Sequence, residues 1–191
     1  LNKLTQIKGV IDQQYESATV NLNSTAVVDP DIAVLIVMAP KTEFNESEKF
    51  KIDQYIMNGG NAIFLIDKVA PNFQQQMVIG NEVKTNLVDL LFNYGINIKV
   101  DLIKDLQCSA VQVQSQIGFP ISVNYPYFPV ITNIAKNNPA FNNLKSVVLT
   151  FASSLDTNNE VAKTVKITPL LTTSDRSSES AGFFFLNLEQ F

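Results

Sequence analysis

Residues 32–67 read IAVLIVMAPKTEFNESEKFKIDQYIMNGGNAIFLID, and this stretch decides the fold class. It opens on Ile32-Ala33-Val34-Leu35-Ile36-Val37-Met38, an unbroken apolar run of strand length that follows the chain breaker Asp29-Pro30. Such a run predicts a strand covered on both faces, as in a parallel sheet. Asn45-Glu46-Ser47-Glu48 has the pattern of a capping box, in which an N-cap side chain and an acid three residues later satisfy each other's backbone amides. The pattern predicts a helix starting at Asn45, with Ile52, Tyr55 and Ile56 on one face. Gly59-Gly60 predicts its end, because glycine tolerates the left-handed geometry of a helix stop. Ala62 to Ile66 then forms a second apolar run that ends in Asp67. Strand, capped helix, double glycine and strand make a βαβ unit, for which a right-handed crossover is expected.

Working outward, Leu4, Ile7, Ile11 and Tyr15 recur at helical spacing and predict an amphipathic helix over residues 2–15, followed by a short alternating strand from Ala18 to Leu22. On the other side, Leu87, Leu90, Leu91 and Tyr94 predict another helix stopped by Gly95. Ile96 to Ile103, residues 110–116, Val147 to Phe151, Val165 to Ile167, Leu170 to Thr172 and Phe183 to Leu188 read as strands. Phe119 to Val130, with Pro120, Pro126 and Pro129, reads as a loop, and so does Thr172 to Ser180. The expected fold class is α/β, a mainly parallel sheet flanked by helices, with additional β-strands in the C-terminal half. A single domain is expected over 1–191, with a βαβ-type core at 1–108 and a β-rich extension at 109–191 packed on it.

Composition removes several functions. The 191 residues carry a net charge of −4, with no His, no Trp and one Cys, and only 17% are charged, below the roughly 25% of ordinary soluble domains. Twenty Asn contribute to a neutral polar surface instead. Arg176 is the only arginine and no basic stripe exists, so the clustered cations that neutralise a phosphate backbone are missing and no nucleic acid is expected as a partner. Without His, the commonest general base and metal ligand is gone; neither a metal site nor a cofactor is expected, and the chain is read as not an enzyme. The longest apolar stretch, Ile32 to Ala39, is far short of the roughly 18 residues of a membrane span. The chain opens at Leu1 without Met or a signal sequence, which reads as a fragment of a longer protein.

Few residues invite chemistry. Cys108 sits in Leu106-Gln107-Cys108-Ser109-Ala110 without the flanking glycines of a nucleophile elbow or a His to activate it, so an inert thiol is expected. Asp67, at the carboxyl end of a predicted parallel strand, lies where open α/β sheets place functional loops, although an Asp there also caps turns. Asp101 and Asp105 lack the loop pattern of a calcium site and read as solvated strand-end charges. Gly59-Gly60 ends a helix rather than opening one, unlike a phosphate loop. Tyr125, Tyr127 and Phe128, held among prolines, make either a rigid surface for sugars or a protein partner, or a loop tucked over the sheet edge. Asp67, Tyr125, Tyr127 and Phe128 are therefore the candidate ligand- or partner-binding residues, and no catalytic residue is expected.

FNESEKFKIDQYIMNGGNAIFLID at 44–67 and NLVDLLFNYGINIKVDLIKDLQC at 86–108, followed in order by YPYFPVI, LTFASSLDT and KITPLLTTS, resemble the GldG-type gliding-motility proteins, putative substrate-binding auxiliaries of bacterial ABC transporters. The resemblance implies a sheet similar to flavodoxin-like and class I glutamine-amidotransferase folds. It also implies a periplasmic domain anchored to the inner membrane by helices outside this sequence, an ABC permease and ATPase as partners, and a role in gliding or secretion in Bacteroidetes-like bacteria. No catalytic residues come with it. Three functions stay open: a non-catalytic auxiliary binding protein or glycan partners, a small-ligand, sugar-like receptor using the strand-end crevice near Pro40, Asp67 and Asp101, and an amidotransferase- or hydrolase-like enzyme acting through Cys108 or Asp67. Self-association as a homo-oligomer is compatible with each. Similar domains begin with a central strand that this chain lacks, so a C-terminal strand or a neighbouring chain is expected to cover the open sheet edge.

Overall fold

A computed structural model describes residues 3–72, 78–114, 118–136, 138–182 and 184–186. In chain order its elements are α1 (Lys3–Ile11), β1 (Val34–Met38), α2 (Glu46–Met57), β2 (Asn61–Leu65), β3 (Val69–Asn72), β4 (Ile79–Glu82), α3 (Val88–Phe92), β5 (Asn97–Ile98), β6 (Asp101–Asp105), β7 (Cys108–Gln114), β8 (Pro120–Ile131), β9 (Asn133–Ile134), β10 (Val147–Val148), β11 (Leu155–Asp156), β12 (Leu171–Thr172), β13 (Ser177–Ala181) and β14 (Phe184–Phe185). The chain forms two compact units, one of residues 1–35 and 45–63, the other of residues 36–44 and 64–191. The division falls within β1 and β2.

The decisive stretch forms as local chemistry dictates. Asn45 accepts from the Glu48 amide at 2.9 Å while the Glu48 carboxylate accepts from the Asn45 amide at 2.8 Å, a reciprocal cap on α2. At the other end the Gly59 amide donates to Ile56 and the Gly60 amide to Tyr55, with Gly59 at φ 95°. These two bonds are a Schellman stop, which needs a left-handed residue and is easiest with glycine. β1 and β2 then pair in a two-stranded sheet.

The expected α/β class, with a parallel flavodoxin-like sheet between helix layers, is not what the chain adopts. Besides this one strand–helix–strand unit the chain forms small sheets of two or three strands, and their registers are antiparallel: β3 with β4 and β14 with β4, β7 with β8 and β10 with β8, β5 with β11, β6 with β13, β9 with β12. The reason is the connections. Parallel neighbours need a crossover of a dozen or more residues, usually helical, and α3 has five residues, about 7.5 Å of helix. The sheet faces agree: Val34 and Ile36 on β1 are 43% and 38% exposed while Leu35 and Val37 are buried, so one face alone is covered.

Smaller departures have equally local causes. α1 ends at Ile11 and continues as turns, and residues 18–22 and 165–167 are not strands. The expected strand over residues 96–103 is two short strands, β5 and β6. Residues 177–180, within the stretch read as loop, belong to β13, which runs along β6. The C-terminal strand expected to cover the β1–β2 edge pairs with β4 instead; residues 115, 116, 183, 187 and 188 of the predicted strands lie outside the described residues.

The largest departure is β8, a twelve-residue strand where three prolines predict a loop. Between Asn124 and Pro129 its register against β7 jumps, from Ala110 to Cys108, a bulge of β8 in which Pro126 lies outside the regular ladder and costs it no donor. Odd-numbered residues of this part point inward: Tyr125, Tyr127, Pro129 and Ile131 are buried. Tyr125 and Tyr127, with Val69, Leu102, Phe184 and Leu186, form the core of the second unit, edged by Val78, Val111, Phe128 and Phe151. Tyr125 meets Phe128 edge-on at 5.0 Å between centroids, and Phe128 meets Phe151 edge-on at 5.1 Å. The Tyr125 hydroxyl donates to the Leu186 carbonyl at 2.7 Å, and burial, with Tyr127 nearby, pushes its phenol up to about 12.

Tyr125→Phe strands the Leu186 carbonyl and is expected to lower unfolding free energy by about 1–3 kcal/mol, and Tyr125→Ala by about 3–5 kcal/mol, in urea denaturation; an Ala variant as stable as the parent would place the ring outside the core.

Candidate functional site

Of the residues singled out by sequence, Asp67 is exposed and pairs with Lys41 at 3.3 Å. Asp101 is elsewhere in character: it is 2% exposed, and its carboxylate accepts from the Ser154 amide at 2.8 Å and the Ser154 hydroxyl at 2.5 Å, while its carbonyl accepts from the Ser153 hydroxyl at 2.7 Å. Asp67 and Asp101 thus engage different local partners, Lys41 and Ser154. Tyr125 and Tyr127 are 4% and 2% exposed and Phe128 is half-buried, so their rings are spent on packing rather than on a surface.

Asp105 is 1% exposed rather than solvated. Its carboxylate accepts from the Gln107 amide at 2.8 Å, the Ser174 amide at 2.9 Å and the Ser174 hydroxyl at 2.6 Å. Burial alone would raise its pKa, but the Ser174 hydroxyl and amide, the Gln107 amide and the charge of Arg176 together outweigh burial and hold the carboxyl below its ordinary 3.8. Cys108, half-buried, is shifted the other way: burial first, then the Asp105 charge, pushes the thiol above its usual 9.0, and a protonated thiol is a poor nucleophile. No cluster of three or more acidic, Cys or His ligands exists among the described residues.

The first unit holds a cleft of about 420 Å³ that sequence reading did not single out. One wall is a stripe of α2, where Phe50, Gln54 and Asn58 follow at i, i+4 and i+8 with Lys51 and Tyr55 beside them, the spacing that stacks side chains on one helix face. The other wall is the segment Val27, Val28, Pro30, Ile32 and Ala33, and the Gly59-Gly60-Asn61 turn closes one end. Two hydrogen bonds brace these parts, the Tyr55 hydroxyl donating to the Ile32 carbonyl at 2.7 Å and the Asn61 amide to the Ala33 carbonyl at 3.2 Å, and the Lys51 ammonium donates to the Leu22 carbonyl at 2.7 Å further up the chain. Gly60 is needed here for space: a Cβ would lie 2.4 Å from Cζ of the Tyr55 ring. Phe50 is 61% exposed at the rim. The available signal was an aromatic residue on the polar side of a capped helix, in register with two amides.

Residues 2–190 match the family described as an ABC-type uncharacterized transport system, an auxiliary family. No curated protein matches the chain. Among solved structures, the mmIFT52 N-terminal domain is similar with a TM-score of 0.53 and 14% identity, over 90% of this chain and 66% of that one. At that identity the likeness is one of fold, and the chain spans just under two thirds of that structure's length.

Gly60→Ala is expected to cost about 1–3 kcal/mol in urea denaturation through overpacking against Tyr55, whereas Gly9→Ala, which meets nothing within 4 Å on α1, is expected to be neutral or stabilising by up to about 1 kcal/mol; equal effects would mean that Tyr55 does not lie under the turn. Because the folded state holds the Asp105 proton less tightly than the unfolded chain does, its contribution is complete above the unfolded pKa and is lost as pH falls through the folded one. Asp105→Asn should thus lower Tm at neutral pH and flatten the fall of Tm on acidification below about pH 5; a Tm profile parallel to the parent's would remove Asp105 from the acid response.

Proposed function

Because the chain belongs to the ABC-type uncharacterized transport system family, an auxiliary family of ABC transport, we propose that it is a non-catalytic periplasmic domain that binds a protein or glycan partner on behalf of an ABC permease and ATPase. The finer, GldG-like assignment, with a role in gliding motility or secretion and an inner-membrane anchor outside this sequence, rests on the ordered motifs between residues 44 and 174. The family match over residues 2–190 carries the transport reading. A binding role is supported by the cleft beside α2, within the roughly 300–1,000 Å³ range of small-molecule pockets and lined by both apolar and amide side chains. A catalytic role finds less support, since the sole Cys carries a raised pKa and Asp67 is engaged by Lys41 at the surface.

Affinity capture of the tagged full-length protein from native membranes, read by mass spectrometry, is expected to recover an ABC permease together with its ATPase. Recovery of neither, from membranes in which both are detected, would overturn the transport reading.

A further inference from the structure

We propose that the cleft between α2 and the 27–33 segment is a binding site for a carboxylated sugar residue of the uronic-acid type, with Lys51 as the reader of its carboxylate. The inference deepens the reading of this chain as a partner-binding auxiliary and rests on it for the ligand's delivery, though not for the binding itself. Three features of the lining carry it. The first is charge: Lys51 is the ionised residue of the lining, which contains no Asp or Glu. Its half-buried ammonium donates to the Leu22 carbonyl at 2.7 Å, and no carboxylate of the described residues pairs with it. An ammonium has three N–H donors, so a partly desolvated cation whose structural partner is one neutral carbonyl retains donors for an anion, and a charge-assisted bond in such a place is stronger than a neutral one.

The second feature is the amide set. Gln54, Asn58 and Asn61 bring donors and acceptors to the lining of the cleft, the dual capacity that a ring of hydroxyl groups requires, since each hydroxyl both gives and receives. The third is the pairing of a flat apolar surface with bare backbone. Phe50 stands exposed at the rim, where its face offers the large apolar contact that a sugar's C–H face can cover. Gly59 and Gly60 contribute no side chains to the lining, which lets a ligand approach the main chain closely. An anion read by charge alone would need none of the amides, and an apolar ligand would leave Lys51 unanswered.

The test is titration of the 191-residue chain by NMR and calorimetry with D-glucuronic acid, with D-glucose as the neutral counterpart, digalacturonic acid as the oligosaccharide form, and inorganic phosphate as a competing anion. Glucuronate is expected to perturb Phe50, Gln54 and Asn58 and to bind about tenfold or more tightly than glucose. Lys51→Gln should remove that difference while Lys51→Arg retains it, each checked for an unchanged Tm because Lys51 also braces Leu22. Tighter binding of digalacturonate than glucuronate would assign the site to a polymer, and the reverse to a free sugar acid; both support it. Equal binding of glucose, full displacement by phosphate, or an unaltered preference in a folded Lys51→Gln variant would overturn it. Absence of sugar binding alongside successful capture of permease and ATPase would defeat this proposal and leave the transport reading standing, and the converse would do the opposite.

Discussion

A carboxylate removed from water must be met by donors or lose its charge, and β6 carries two such groups four residues apart. Asp101 is met by Ser154 and Asp105 by Ser174 and Gln107. The strand thereby fixes two distant segments, one leading into β11 and one leading into β13, through side chains rather than through its ladder alone. Small antiparallel sheets of two or three strands are marginal by themselves, and the second unit is built largely from them. Buried acids with both carboxylate oxygens hydrogen-bonded, together with the Tyr125 hydroxyl on the Leu186 carbonyl, give those short ladders a common frame. The aromatic core then fills the space that this frame encloses.

The first unit solves a different problem with a single helix. Capped at Asn45 and stopped at Gly59-Gly60, α2 buries Ile52 and Tyr55 and turns Phe50, Gln54 and Asn58 to solvent. The 27–33 segment has no regular ladder of its own, and it is held by the Tyr55 hydroxyl of α2 donating to the Ile32 carbonyl and the Asn61 amide donating to that of Ala33. A wall made this way leaves a recess beside the helix. Scaffold and recess share residues, notably Tyr55, so the shape of the cleft is tied to the packing of the helix.

Legibility in the sequence followed the range of the forces involved. The capping box, the glycine stop and the two flanking strands depend on residues within about five positions, and all were readable. The arrangement of sheets was not, because a continuous apolar run such as Ile32 to Met38 reads as doubly covered whether or not a second layer arrives to cover it. β8 was missed for a subtler reason: inward-facing Tyr125, Tyr127, Pro129 and Ile131 alternate with period two, but three prolines argue for a loop unless the strand itself bulges, and the bulge of β8 shows only in its pairing with β7. Asp101 and Asp105 looked solvated because their serine partners are 53 and 69 positions away. The cleft residues carry no motif at all, only helical spacing.

Those separations also order events in time. Asp105 leaves a ribosome 69 residues before Ser174, which at about 5–20 residues per second is an interval of about 3–14 s. During it the buried acid has no Ser174 to replace water, and Tyr125 waits similarly for Leu186, 61 residues later. The second unit thus closes only once residues 174–186 have been made, and until then its strand edges and aromatic rings need a chaperone or passage in an unfolded state.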